Sequence, residues 1–152
     1  MSLDSVRAFF AEHAADITII ETAESSATVA LASAAHGVEP AQIAKTLALK
    51  VDDTVLLVVT SGTARLDNRK FRDRFGGKAR MLDAEQALAL TSHPVGGICP
   101  FGLPSPLAVY CDESLHAFAE VLPAAGATNT AVRLSPQRLA ELTQAQWVDI
   151  CQ

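Results

Sequence analysis

A chain of 152 residues, 49% of them hydrophobic, is long enough to bury one good core, so residues 1–152 are expected to form a single domain without a linker. No apolar run approaches the roughly 18 to 20 residues needed to span a bilayer, and Met1-Ser2-Leu3-Asp4 lacks the basic-then-apolar order of a signal peptide, so no membrane role and a cytoplasmic location are expected. The net charge of -5 argues against a broad DNA-binding surface.

In chain order, Ser2 to Ala14 reads as an amphipathic helix with Val6, Phe9 and Phe10 on its apolar side, followed by a short strand from Ile17 to Glu21. Ser26 to Ala35 reads as a second helix, capped by serine and stopped by Gly37. Pro40 suits the first turn of a further short helix through Ala44, which places Lys45 at the junction with a strand. Thr46 to Val51 and Thr54 to Thr60, joined by Asp52-Asp53, form the clearest pair of strands and predict a hairpin. Asp67 is the expected cap of a helix through Phe75 that Gly76-Gly77 ends. Ala79 to Leu82 then reads as strand, and Ala84 to Leu90 as helix with Asp83 as cap. After a glycine-rich loop come strand Leu107 to Cys111, helix Glu113 to Leu122, strand Ala131 to Leu134, helix Pro136 to Leu142 and strand Trp147 to Ile150. The elements mix without a regular β-α-β rhythm, which favours an α+β domain over a doubly wound one.

Three features carry chemistry. The first is Lys45, a lysine inside the apolar run Ala44 to Leu49; lysine is seldom fully buried without a partner, so it either snorkels or serves a ligand. The second is charge segregation. Arg65, Arg69, Lys70, Arg72, Arg74, Lys78 and Arg80 are opposed locally only by Asp67 and Asp73, a patch sized for an RNA end while the rest of the chain is strongly acidic. The third is Thr91 to Gly102, with three glycines and two prolines: paired glycines permit close backbone approach, prolines stiffen the ends, and a row of exposed amides suits a carbonyl or oxyanion.

Other chemistries lack their residues. No Gly-x-Ser-x-Gly elbow is present, and no phosphate-binding Gly-x-x-x-x-Gly-Lys-Ser/Thr loop. His13, His36, His93 and His116 are scattered, and no His-x-x-x-His or carboxylate cluster offers metal-ligand spacing, so neither a metal nor another cofactor is expected. Cys99, Cys111 and Cys151 are odd in number and widely spaced, which predicts free thiols. Cys99 with His93 is the nearest approach to a thiol nucleophile and base, though their spacing gives no sign that the side chains meet.

Taken in order, Ile43-Ala44-Lys45-Thr46-Leu47, Ser61-Gly62-Thr63-Ala64-Arg65-Leu66-Asp67 and Gly96-Gly97-Ile98-Cys99-Pro100 with Phe101-Gly102 resemble the YbaK-type aminoacyl-tRNA editing domains. These include the insertion domain of bacterial prolyl-tRNA synthetases and its free-standing relatives, and the resemblance runs from about Ser26 to the C-terminus. It implies a curved mixed sheet, partly closed as a barrel and flanked by helices. It also implies hydrolysis of the ester of tRNA misacylated with a small amino acid, in trans and in some relatives on proline tRNA, with no protein nucleophile. Lys45 would anchor phosphate or ribose oxygens, and the amides of Gly96, Gly97, Ile98 and Cys99 would hold the ester carbonyl. Thr46, Ser61, His93 and Pro100 would contact substrate, and Arg65, Arg69, Lys70 and Arg72 would contact the tRNA. The expected partners are the aminoacyl-tRNA acceptor end and a synthetase, with the protein a monomer or weak dimer. Cys99 stands where many relatives carry serine. The rival reading is a noncatalytic module that binds tRNA ends or a small ligand.

Overall fold

A computed structural model describes residues 2–152. Its longest ladder forms where β-branched and leucyl residues are densest: β2 (Ile43–Val51) and β3 (Thr54–Ser61) make an antiparallel hairpin in which Val51 faces Thr54 and Ala44 faces Ser61. Asp52, at φ 52, turns the chain in a left-handed conformation that aspartate tolerates better than most residues. β3 pairs in parallel with β5 (Ala108–Asp112), and β5 with β8 (Gln146–Val148). The outer edge of β2 carries β4 (Arg80–Met81), antiparallel at one end, and β6 (Leu122–Pro123), parallel at the other. A separate ribbon joins β1 (Ile20–Glu21) to β7 (Thr130–Ala131).

The six-stranded sheet therefore runs β4-β2-β3-β5-β8, with β6 beside β2. The mixed α+β class is as expected; among the described residues no ladder closes the sheet into a barrel.

Five α-helices flank the strands: α1 (Ser2–His13), α2 (Val29–His36), α3 (Asn68–Phe75), α4 (Ala84–Thr91) and α5 (Pro136–Thr143). Asp67 caps α3 through the amides of Arg69 and Lys70, and Asp83 closes a capping box with Gln86 on α4, both at the expected positions. Two boundaries move. The cap of α2 is Thr28, not a serine, and only a 3-10 turn spans Pro40–Gln42, so Lys45 lies inside β2 rather than at its entrance.

The helix expected from Glu113 to Leu122 is reduced to a 3-10 turn at Glu113–Ala117, because Leu122 is drawn away to pair with Ile43. The strand expected from Ala131 to Leu134 shrinks to β7 and single bridges at Ala124–Ala131 and Val121–Leu134.

Alternation along the hairpin divides the core. Ala44, Ala48, Leu57 and Val59 face a cluster with Val6 and Phe10 of α1, Phe101 of the glycine loop and Leu139 of α5. Leu49, Val51, Leu56 and Val58 face a second cluster with Phe71 of α3, Val148 and Ile150. A third, small cluster of Ala32, Ile43 and Leu122 fastens α2 to the entry of β2. Among the described residues no helix is long and apolar enough to cross a membrane.

Candidate active site

β4 covers the outer edge of β2 only at Leu49 and Lys50, and β6 only at Ile43 and Ala44. Beyond these ladders, Leu82 N–H donates to Ala48 O at 3.0 Å, so the main chain of Ala48 points outward, away from β3. Groups of one residue point the same way in a strand and alternate along it, so the N–H and C=O of Thr46 also point outward, where no strand lies. A cavity of about 290 Å³ occupies this gap. Residues of both sheet faces reach it at the open edge: Ile43 and Lys45 from one, Ala44, Thr46 and Ala48 from the other.

The remaining walls come from Ser26 to Val29, from α2, from Gly96 and Ile98 of the glycine loop, and from Thr130 and Ala131. Met81 and Val95 also line it and are 64% and 61% exposed, which places apolar surface at its mouth.

Lys45 is half-buried, and its ammonium donates to Ala64 O at 2.6 Å. Burial holds its pKa below the usual 10.5; Cys151 opposes that shift and the nearby Arg65 charge adds to it. Burial pushes the Cys151 thiol up to about 12, so it is neutral near pH 7 and no counter-ion. Among the described residues Lys45 makes no salt bridge with a carboxylate. A partly desolvated cation held by one carbonyl has the chemistry to receive an anion.

The glycine loop owes its shape to close packing with protein. Gly96 has φ +92, and a Cβ there would lie 2.8 Å from Ala27 Cβ; one at Gly97 would lie 2.8 Å from the Ala127 nitrogen. The glycines thus let the loop touch the two segments that help line the cavity. Gly97 N–H is engaged by Pro94 O at 2.9 Å, so it is no free donor, contrary to the role expected for it. Among the described residues the N–H groups of Gly96, Ile98 and Cys99 meet no protein acceptor.

Lys45, Thr46, Gly96 and Ile98 therefore share one cavity. Ser61, His93, Gly97, Cys99 and Pro100 are not in its lining. Ser61 Oγ donates to Ala41 O at 2.7 Å and its N–H to Ser114 Oγ at 3.0 Å, a structural tie at the end of β3. His93 and Cys99 do meet: Sγ lies 3.5 Å from Nε2, and both side chains are fully buried. Nε2 is also 2.7 Å from Phe101 O, a carbonyl that requires it to carry the proton, so it is not a base toward the thiol. Burial pushes the Cys99 thiol up to about 12, partly offset by the Phe101 carbonyl. The pair is loop support, not a nucleophile and base.

Arg65, Arg69 and Arg72 are exposed, whereas Lys70 is tied to Asp149 Oδ1 at 3.1 Å and Cys151 O at 2.9 Å. The bridge Leu66–Cys151 and the bond from Gln152 N–H to Arg65 O, 2.9 Å, hold this basic segment beside Lys45.

Sequence reasoning missed His36, Val29 and Ala32 of α2 and Thr130 as lining residues. The one available signal was the small-residue face of α2, whose Ala32 leaves room beside β2.

A partly buried cation and a glycine-shaped cleft thus meet at the open strand edge of an α+β domain. Residues 23–142 match the aminoacyl-tRNA editing domain, and the chain belongs to that family. It is 43% identical over 153 residues to the uncharacterized protein YwhH of Bacillus subtilis (strain 168), covering 99% of this chain and 98% of that protein. A crystal structure described as a candidate trans-editing enzyme for prolyl tRNA synthetase is 32% identical with a TM-score of 0.91, covering 99% of this chain and 97% of the other. The hypothetical protein APE2540 superposes with a TM-score of 0.89 at 28% identity, covering 97% of this chain and 99% of that one.

Proposed function

We propose that the protein is an aminoacyl-tRNA deacylase that hydrolyses the ester of tRNA carrying a small amino acid, acting in trans on the acceptor end, with proline tRNA the first species to test. The observation that carries the reading is the shared cavity of Lys45 and the glycine loop, within a chain of the editing family. Lys45 holds a phosphate or ribose oxygen of the terminal nucleotide as a point charge. The free amides of Gly96 and Ile98, which line the cavity, are the available donors to the ester oxygen as charge develops on it, and Gly97 contributes shape. An aminoacyl ester is already activated, so orientation and charge stabilisation suffice, with water or a group of the substrate attacking.

Size supports a small acyl group. A cavity of about 290 Å³ lies at the low end of ligand sites, roughly 300–1,000 Å³, and leaves no room for a large side chain beside the ribose. Exposed Met81 and Val95 offer an apolar rest for the terminal base. Arg65, Arg69 and Arg72 contact the phosphates beyond it, and a synthetase is the natural source of the charged tRNA.

The test is release of amino acid from a panel of tRNAs charged with alanine, serine, threonine or cysteine, with wild type beside Lys45→Met. Turnover of at least one member that Lys45→Met abolishes supports the reading. Binding of charged tRNA with no turnover of any member replaces it with the noncatalytic module.

A further inference from the structure

α2 ends at His36 because Gly37 takes the left-handed position after it, at φ 66, and His36 lines the cavity from that last turn. Its surroundings there are apolar: Val29, Ala32, Ile43 and Leu122 line the same cavity and pack as one cluster. Within this setting Nε2 of His36 is buried and has no hydrogen-bond partner in the protein. The hydroxyl of Thr46, which lines the cavity from β2, is buried and unpartnered as well.

Buried polar atoms are nearly always satisfied, so two orphans on residues that line one cavity point to a ligand as the missing partner. Burial, and secondarily the Arg133 charge, hold His36 below its ordinary pKa of 6.5, so the ring is neutral near pH 7 and each nitrogen is a single donor or acceptor. A charged side chain would be desolvated there without a counter-ion from His36, and a thiol is a weak hydrogen-bonding partner. A hydroxyl both donates and accepts, and matches the two orphan atoms in number and polarity.

We propose that His36 and Thr46 form a specificity element that hydrogen-bonds a hydroxyl on the side chain of the esterified amino acid, so that the cavity selects a seryl-type ester over the alanyl ester. The inference rests on the deacylase reading and narrows its substrate. A site built to pair a hydroxyl rejects the analogue that lacks it, because the polar wall is then left unpaired, whereas an apolar pocket discriminates weakly between the two.

The experiment compares kcat/KM on one tRNA charged with serine or alanine, for wild type, His36→Leu, His36→Gln and Thr46→Val. Wild type is expected to favour the seryl ester by at least about tenfold, given the larger factors typical of such sites. His36→Leu and Thr46→Val are expected to cut the preference to within about threefold of unity, the alanyl rate of His36→Leu not falling because its unpaired polar wall is gone, and His36→Gln, which keeps a neutral donor and acceptor, to retain part of it. Replacing an unpaired polar group by an apolar one does not harm folding, so an unchanged or raised Tm for His36→Leu verifies the comparison. Equal wild-type rates on the two esters, or a preference that survives His36→Leu, overturns the inference and leaves the deacylase standing. No turnover of any ester of the panel overturns the deacylase instead. In that event, binding of the non-hydrolysable amides, 3′-seryl- and 3′-alanyl-amino-adenosine, decides: tighter serine binding lost in His36→Leu sustains the recognition element, and equal binding removes it.

Discussion

Lys45→Met separates an anchoring role from a structural one, because the two make opposite forecasts for stability and activity. On the stability side, the ammonium gives one charged hydrogen bond, to Ala64 O at 2.6 Å. Such a bond contributes about 1.5–3 kcal/mol, offset by the desolvation that the cation suffers and methionine does not. The residual cost is expected below about 1.5 kcal/mol, or a Tm drop of roughly 2–6 °C for a domain of this size. On the activity side, removing the cation opposite a bound phosphate costs about 2–5 kcal/mol, since the substrate charge is then held without its partner. At about 1.4 kcal/mol per tenfold, kcat/KM falls roughly 30- to 3,000-fold. The assay is single-turnover deacylation of the best ester from the panel, at a temperature where circular dichroism shows both proteins folded. The rate should also fall with rising pH earlier than free lysine would require, because burial holds the Lys45 pKa below 10.5. A folded Lys45→Met that retains the wild-type rate within about threefold refutes the anchoring argument.

Cys99→Ala should leave kcat/KM within about threefold of wild type, and thiol reagents should fail to inactivate the folded protein, because this thiol is fully buried with its pKa pushed to about 12. Gly96→Ala should cost more than Gly76→Ala: both have positive φ, +92 and +78, but only Gly96 has a neighbour within reach of an added Cβ. The conformational part is about 1–2 kcal/mol in each case, so equal Tm losses would refute the contact between the loop and Ala27. Reversing exposed Arg69 and Arg72 to glutamate should weaken tRNA binding and lower its salt slope while sparing an aminoacyl-nucleoside fragment. Lys70→Ala should act chiefly on Tm, since its ammonium is held by Asp149 and Cys151. Burial, partly opposed by the Phe101 carbonyl, holds His93 below its ordinary pKa of 6.5. The unfolded chain therefore binds more protons than the folded one as pH falls through 6.5, so stability present above that pH is lost down to the folded pKa, and His93→Gln should flatten the slope in urea titrations.

The parts of this molecule legible in the sequence are those decided by neighbours a few residues apart. Asp67 and Asp83 cap helices because each carboxylate satisfies amides two or three positions on, and Gly37 and Gly76 end them because a left-handed residue is needed there. The hairpin around Asp52 is legible on the same grounds. What the sequence left hidden depends on partners far along the chain. Residues Glu113 to Leu122 carry a serviceable helical pattern, yet a parallel pairing of Leu122 with Ile43, remote in sequence, leaves only a 3-10 turn at Glu113–Ala117. Of the four two-residue strands, β1, β4 and β7 fall in or overlap expected strands whose lengths shrink, and only β6 had left no trace.

The cavity follows from that same brevity. β4 and β6 are each long enough to cover one end of β2 and too short to meet, so an outward-facing stretch of main chain around Thr46 is left between them. An open edge inside a fold is normally filled or blunted, since unpaired amides and carbonyls there are costly. Here it is flanked by a half-buried cation without a counter-ion, a glycine loop with unengaged amides and two orphaned side-chain atoms. Inserting two strand-forming residues between Leu82 and Asp83, which extends β4 opposite Leu47 and Thr46 and spares the Asp83 cap, should therefore close the gap, raise stability and abolish activity together. A stabilised variant that still deacylates would show that the edge of β2 is not where substrate enters.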